Sequence, residues 1–284
     1  MLSAARKMLV DTTLAFIADE ALSRGAAIAF YATTSLAPVL LIVIALAGLV
    51  FGQDAAQNAI SGQFSALMGK QTADLLQSVI SSASAKLSGV VATIIGLVTL
   101  IATASGVFGE MQAALNTIWK TRSQGTILSR LVRARIASLG LVGALGFLLI
   151  VSLAVSAGLT AFANTLDTLP VGAVILSGLN FTVSLLLFAV LFGAIYKVLP
   201  DRTLQWRDVI VGAVITSVLF NIGKTLIGWY IGSSAVASSY GAAGGLIVLL
   251  LWVYYSAQIF LFGAEFTKVY ANAHGSRRRK PITD

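Results

Sequence analysis

Long runs of apolar residues, separated by short charged connections, set the pattern of this chain. A run of about 20 such residues can cross the hydrocarbon core of a bilayer as an α-helix. The longest run, between Lys224 and Glu265, contains no charge and exceeds one crossing, and its serine-containing stretch 233–241 indicates a turn between two spans. The same pattern along the whole chain predicts six transmembrane helices, at residues 26–51, 89–108, 136–163, 171–196, 209–231 and 243–266.

Shorter segments connect the predicted spans. Residues 1–24 carry apolar residues at roughly helical spacing among charges, which predicts a helix lying at the membrane interface. In residues 52–88 apolar positions recur every three or four residues and the pattern breaks at Gly69, so two short amphipathic helices are expected outside the cytoplasm. Residues 267–284 form a basic tail. No length remains for a separate soluble domain, so the prediction is one all-α membrane domain over residues 1–284.

The composition agrees with this pattern. The chain is 57% hydrophobic and 11% charged, with a mean hydropathy of +0.91, whereas about a quarter of the residues of a soluble protein are charged. It has no Cys and a single His, His274. The sequence also lacks a metal-binding cluster, a glycine-rich phosphate loop and a nucleophile beside a base. No catalytic residue, metal or cofactor is therefore expected, and the protein is predicted not to be an enzyme.

Lysine and arginine residues alternate between the connections, which predicts the orientation because positive residues are retained on the cytoplasmic side. The N-terminal segment, the 111–135 connection, the 197–207 connection and the tail hold three, five, three and five of them, whereas 52–88 holds two. Both termini are therefore expected in the cytoplasm. The positive charges there are expected to contact anionic lipid headgroups rather than nucleic acid.

Lys224 is the sharpest chemical signal, because a charged side chain inside a span costs at least about 2.5–3.5 kcal/mol unless it is paired or hydrated. Ser217 and Asn221 precede it at helical spacing and form one polar stripe with it. The functional hypothesis is a hydrated cavity in which the ammonium meets an anionic or carbonyl group of a substrate. The alternative is a lysine that extends to the outer lipid headgroups.

Two glutamates, Glu110 and Glu265, lie at the inner ends of the second and sixth predicted spans and are expected in one layer. Thr103 precedes Glu110 on a stripe of small or hydroxylated residues, and Tyr254 and Gln258 precede Glu265. A carboxylate near a helix C-terminus is unfavourable against the helix dipole, so a basic partner is expected for each. The two interpretations are a simple ion pair and a gate, proton or cation site.

Further polar faces lie on the first and fourth predicted spans, at Tyr31 and Ser35 and at Asn180 and Ser184. Hydrogen bonding between helices explains each of them alone. Together with the other stripes they predict a central polar cleft that would serve as a substrate or ion pathway. Trp119 is expected to be an anchor at the inner membrane interface, where tryptophan is enriched.

Short family-like motifs are spread from the first predicted span to the last. They are Ala26–Tyr31, Ser35–Pro38, Ala114–Trp119, Leu199-Pro200, Trp206–Asp208, Val211–Ala213, Tyr240-Gly241 and Gly263–Glu265. In this order and spacing they resemble the YihY/BrkB family, once labelled ribonuclease BN, over about residues 20–270. The resemblance implies a six-span protein of the bacterial inner membrane whose biochemical activity is not established. The older ribonuclease label is an assignment that belonged to another protein.

The sequence thus predicts an integral membrane protein that moves a small or amphipathic solute through a polar cleft. The alternative from another class is a non-transporting scaffold or regulator of envelope assembly, and a ribonuclease comes third. A cleft that reaches both Lys224 and the glutamate layer would favour transport, whereas dry packing throughout would favour a scaffold. Membrane lipids and an unidentified small solute are the expected partners, and a homo-oligomer is compatible with the sequence.

Reporter fusions test the predicted orientation. Fusions after Ser88 and Asp167 should report the extracytoplasmic side, and fusions after Gln124 and Thr203 should report the cytoplasm, because these connections differ in their positive charge. The measurement is the paired activity of a periplasmic and a cytoplasmic reporter at each position. A cytoplasmic result after Ser88 would contradict the six-span arrangement.

Overall fold

The computed structural model describes residues 2–68, 73–74, 76–78, 106–121, 172–233 and 244–277. Regular structure in these residues is entirely α-helical, which confirms the all-α prediction for this part of the chain. The helices are α1 (Leu2–Ala18), α2 (Ala21–Phe51), α3 (Gln53–Met68), α4 (residues 106–118), α5 (Gly172–Val198), α6 (Trp206–Ser233) and α7 (Gly244–Ala273).

Within the described ranges, three helices are long and apolar enough to cross a membrane. The apolar segments are Phe181–Val198 in α5, Trp206–Ile231 in α6 and Gly244–Ala273, the whole of α7. They coincide with the fourth, fifth and sixth predicted spans, and α2 covers the first predicted span as one continuous helix. Outside the described residues lie most of the second predicted span and all of the third, 89–105 and 136–163. The number of six spans therefore stays a prediction.

The predicted N-terminal helix over residues 1–24 corresponds mainly to α1, and its last residues belong to α2. α1 ends before Asp19 and α2 begins after Glu20. Glu20 has a φ of 54°, in the left-handed region, which costs a residue with a side chain of the order of 1–3 kcal/mol. Leu14 and Ile17 of α1 are more than half exposed, as expected for a helix whose apolar face lies in the membrane interface.

α6 and α7 form an antiparallel hairpin, with α5 packed on α6 and with α1 and α2 packed on α7. Two glycines bring the hairpin helices together, since Gly212 faces the side chain of Thr267 and Gly263 faces that of Thr216. The hydroxyl of Thr216 also lies 3.1 Å from the hydroxyl of Tyr196 on α5. Small residues therefore let three helices approach closely while their polar groups pair, as is common in membrane helix packing.

A hydrogen-bonded turn closes the end of the hairpin where α6 begins and α7 ends. We call it the inner end after the predicted orientation, and the end near Lys224 the outer end. Ser276, just after α7, donates its backbone N–H at 3.2 Å and its hydroxyl at 2.5 Å to the carboxylate of Asp208 in the first turn of α6. Asp208 is only 2% exposed. Because Gly275 passes so close that a methyl group on it would lie 2.2 Å from Oδ1 of Asp208, the turn is fitted tightly to the base of α6.

Aromatic rings fill the interface of α5, α6 and α7 between the Gly263 contact and Lys224. We call this set the aromatic layer; it comprises Phe188, Phe192, Phe220, Trp252 and Phe260. Neighbouring ring centroids lie 4.5 to 6.3 Å apart, within the range of favourable edge and offset-stacked pairs. The middle of the three-helix interface is therefore a packed apolar core.

Gly263→Ala should destabilise the α6–α7 interface, because the added methyl group would lie 1.9 Å from Oγ1 of Thr216 and 2.7 Å from the hydroxyl of Tyr196. Overpacking of this kind costs about 1–3 kcal/mol. Thermal unfolding of the purified protein in detergent measures the effect. Gly178→Ala is the matched control, since a methyl group there meets nothing within 4 Å. Equal unfolding midpoints for the two variants would contradict the close contact.

Candidate functional site

The ammonium of Lys224 lies against α5. Its Nζ donates to Oγ of Ser184 at 3.0 Å and lies 5.6 Å from the centroid of the Phe188 ring. Lys224 is partly buried, whereas Ile222 and Leu226 on the opposite side of α6 are more than half exposed. The helix thus presents its aliphatic residues outward and its lysine to a neighbouring helix, in agreement with the polar stripe seen in the sequence.

Ser184 connects Lys224 to the other residues of the stripe. Its hydroxyl donates to Oδ1 of Asn221 at 3.0 Å, and Nδ2 of Asn221 donates to the carbonyl of Ser217 at 2.9 Å. The hydroxyl of Ser217 in turn donates to the carbonyl of Leu185 at 2.6 Å. Asn221 and Ser217 are 3% and 0% exposed. These predicted residues therefore form one hydrogen-bonded chain between α5 and α6, and the polar partners found for Lys224 are uncharged.

Four charged side chains meet near the inner end of α7, and we call them the inner charge network: Asp19, Lys120, Glu265 and Lys268. Lys268 donates to Oδ2 of Asp19 at 3.2 Å and to Oε2 of Glu265 at 3.0 Å. Lys120, at the end of α4, donates to the other oxygen of Asp19. The network therefore ties the turn between α1 and α2 to both α4 and α7.

Burial differs sharply among these four groups. The side chains of Glu265 and Asp19 are 0% and 5% exposed, and that of Lys268 is 15% exposed, whereas Lys120 is 64% exposed. Oε1 of Glu265 has no hydrogen-bond partner in the part of the chain that the structure describes. Removing a charge from water costs several kcal/mol. Ion pairing among the buried groups offsets part of this desolvation penalty.

The pKa of Asp19 is held below its ordinary value. Burial alone would raise it, but the hydrogen bond from Lys120, together with the charge and hydrogen bond of Lys268, outweighs that effect. Asp19 is therefore ionised at neutral pH. The sequence did not indicate this residue as part of a site, because it lies in the segment assigned to an interfacial helix and its two lysine partners lie 101 and 249 residues away.

Glu110 pairs with Arg24 of α2, with 3.5 Å between Oε1 and Nη1. Glu110 and Glu265 thus both have the basic partner that was expected, but the argument for it is wrong. α4 continues to residue 118 and α7 to Ala273, so neither glutamate lies at a helix C-terminus. Charge burial, rather than the helix dipole, explains why each glutamate is paired.

The other predicted site residues are dispersed. Nε2 of Gln258 donates to the carbonyl of Leu22 at 3.3 Å, which packs α7 on α2, and Tyr254 is partly buried. The hydroxyl of Ser35 donates to a carbonyl of its own helix, and Tyr31 is 40% exposed. Outside the described residues lie Thr103 and the side chain of Asn180. The structure thus forms an outer group at Lys224 and an inner group at Glu265, with the aromatic layer between them.

A cleft of about 320 Å³ lies beside α4 and the connection between α5 and α6. Asp201 accepts hydrogen bonds there from Gln112 at 3.1 Å and Asn116 at 2.8 Å, and its N–H donates to Asn116 at 2.9 Å. Trp119, expected as an interfacial anchor, is instead 2% exposed. It packs in the hydrophobic core, and the guanidinium of Arg277 lies 5.0 Å from the centroid of its ring. The 114–119 motif therefore fastens α4 to the rest of the inner side.

Comparison with known proteins gives one family and several relatives. A family profile described as "Virulence factor BrkB" matches residues 13–283. UPF0761 membrane proteins of Ralstonia nicotianae, Pasteurella multocida and Klebsiella pneumoniae are 33%, 30% and 32% identical over 61%, 63% and 69% of this chain. The aligned parts cover 38%, 54% and 65% of those relatives, so the chain spans about half the length of the curated relatives it matches. No solved structure matches the chain.

Asp19→Asn should destabilise the protein by about 3–5 kcal/mol at neutral pH, because it leaves buried Lys268 without one of its two carboxylates. Since folding lowers the pKa of Asp19, the stabilisation is complete above the unfolded pKa of about 4 and is lost as the pH falls through the lower folded value. Thermal unfolding in detergent at several pH values measures the difference from the unchanged protein.

Asp11→Asn on the exposed side of α1 is the control for this substitution. It removes the same charge from the same segment and should leave the unfolding midpoint unchanged at every pH. A destabilisation by Asp19→Asn that stays constant into strong acid would contradict the ionic role of Asp19.

Proposed function

We propose a transport function on the premise that this chain belongs to the BrkB family of integral membrane proteins. The transported species is a small or amphipathic solute that carries an anionic group. The observation that carries this proposal is the partly buried ammonium of Lys224 within an apolar membrane helix, bonded to Ser184.

An isolated ammonium at Lys224 is energetically unfavourable inside the membrane, and its surroundings offset this free-energy penalty only in part. Ser184 offers a hydroxyl and Phe188 a ring face, and each of these interactions with an ammonium is weaker than a carboxylate ion pair. Among the described residues no carboxylate lies within ion-pair distance of Lys224. A phosphate or carboxylate group on a solute would supply the missing negative charge, which supports an anion-binding role for this lysine.

The aromatic layer would block the path of a solute between Lys224 and the inner charge network. It separates Lys224 from the inner charge network in the interface of α5, α6 and α7, so the predicted continuous cleft is absent from that interface. In a transport cycle these rings would act as the closed barrier between an outer and an inner site. Passage would require α5 to separate from the α6–α7 hairpin, whereas the glycine contacts would keep the hairpin itself together.

The same layer favours the second candidate, a non-transporting scaffold or regulator of envelope assembly. Stacked rings with centroids as close as 4.5 Å form the kind of rigid packing that a scaffold would use. A ribonuclease activity receives no support from the named relatives, which are described only as membrane proteins.

Reconstitution into lipid vesicles tests the proposal. The probe is a phosphatidylglycerol analogue, which has an anionic headgroup and carries a fluorescent acyl chain. A phosphatidylcholine analogue is the comparator. The measurement is the rate at which label in the inner leaflet becomes accessible to an external quencher. Lys224→Met should slow movement of the anionic probe at least about tenfold, equivalent to about 1.4 kcal/mol. Lys224→Arg, which keeps the charge, should retain a measurable rate.

Lys7→Met is the matched control, since it removes the same charge from an exposed position on α1. No movement above that of protein-free vesicles would favour the scaffold. Equal rates for the unchanged protein and Lys224→Met would show that Lys224 only anchors its helix.

A further inference from the structure

We infer that the inner charge network is a proton-binding site, in which the buried carboxyl of Glu265 holds one proton and shares it with the carboxylate of Asp19. As a coupling site for solute movement, this inference rests on the proposed transport function. As a proton site it stands on the geometry of the network alone.

The first observation is the environment of Glu265 itself. Its side chain is fully buried, Oε2 accepts from Lys268 at 3.0 Å, and Oε1 is without a hydrogen-bond partner in the described parts of the chain. An ionised carboxylate would leave that buried oxygen uncompensated, which is strongly unfavourable. A protonated carboxyl removes the charge and turns one oxygen into a hydrogen-bond donor.

The second observation is the count of buried charges. Asp19 and Glu265 are two buried carboxyls, whereas Lys268 is the single largely buried ammonium between them, because Lys120 is 64% exposed and hydrated. With one proton on Glu265, the buried part of the network reduces to a neutral pair of Asp19 and Lys268. Two carboxylates sharing one site rarely both ionise, so one proton is held between them.

The elements packed around Glu265 bring no further base to it in the described structure. From α6, the residues that meet α7 at this level are uncharged Gly212 and Thr216. Arg24 of α2 and Glu110 of α4 pair with each other at 3.5 Å. The groups that set the protonation of Glu265 are therefore Asp19, Lys268 and, through Asp19, Lys120.

The third observation identifies which carboxyl keeps the proton. The neighbouring lysines hold the pKa of Asp19 below its ordinary value despite its burial. Asp19 is thus the acceptor, and Glu265 carries the proton. When Glu265 releases the proton to water, two adjacent carboxylates remain and repel each other across the contact between α7 and the α1–α2 turn.

Backbone conformation places strain at the same contact. Glu20, next to Asp19, has a φ of 54°, and Lys120 has a φ of 49°. These are the two non-glycine residues with positive φ in the described structure, and this conformation is unfavourable for a residue with a side chain. The closed network holds both residues in place, so deprotonation of Glu265 would release the turn and α1 from α7.

Infrared difference spectroscopy of the full chain in lipid vesicles tests the proton site directly. Raising the pH from about 6, at which carboxyls with ordinary pKa values are already ionised, to alkaline values should remove the C=O band of the buried carboxylic acid and produce carboxylate bands. Glu265→Gln should lack that band. Glu110→Gln, which removes a partly exposed and Arg24-paired glutamate, is the matched control and should keep it.

Asp19→Asn keeps the test decisive if Glu265→Gln does not fold. Removing the neighbouring negative charge should make Glu265 easier to ionise and shift the midpoint of the band to lower pH. Identical spectra for the unchanged protein and Glu265→Gln, or an unmoved midpoint in Asp19→Asn, would overturn the site. A normal band in a protein that moves no phosphatidylglycerol analogue would leave the site intact and refute the transport proposal instead.

Discussion

The cost of taking charge out of water governs the inner half of this protein. Asp19 is nearly fully buried, and it can be so only because ammonium groups from α4 and α7 reach its two oxygens. That requirement fixes where the chain turns between α1 and α2, and it explains a left-handed residue at Glu20. The apolar contact between Phe16 and Phe262, with centroids 5.8 Å apart, then packs α1 along α7. Ion pairing and apolar packing thus both hold α1 against α7.

The two ends of the three-helix interface carry different chemistry. At the outer end Lys224 donates to the hydroxyl of Ser184, which in turn donates to the amide oxygen of Asn221, and at the inner end lysines pair with buried carboxyl groups. Between them the aromatic layer and the threonines facing Gly212 and Gly263 leave little free space. In the proposed transport cycle, this separation would let the outer site bind an anionic group and the inner site exchange a proton without the two charges meeting.

The local pattern of apolar and polar residues predicted much of the fold. Apolar runs predicted the helices that became α2, α5, α6 and α7, and helical spacing placed Ser217, Asn221 and Lys224 on one face. The pattern could not predict Asp19, whose partners are distant along the chain, because periodicity records which face of a helix is apolar and not which charge a turn will meet. Trp119 was misjudged for the same reason, since Arg277, whose guanidinium lies over its ring, follows α7.

The bond between Ser276 and Asp208 makes the α6–α7 hairpin a closed loop, joined by the chain at its outer end and by a carboxylate at its inner end. Because α6 and α7 are joined at both ends and pack closely at Gly212 and Gly263, sliding of one helix along the other would break these contacts. In the proposed transport cycle, a movement of Glu265 on α7 would therefore carry α6, and Lys224 on it, along with α7.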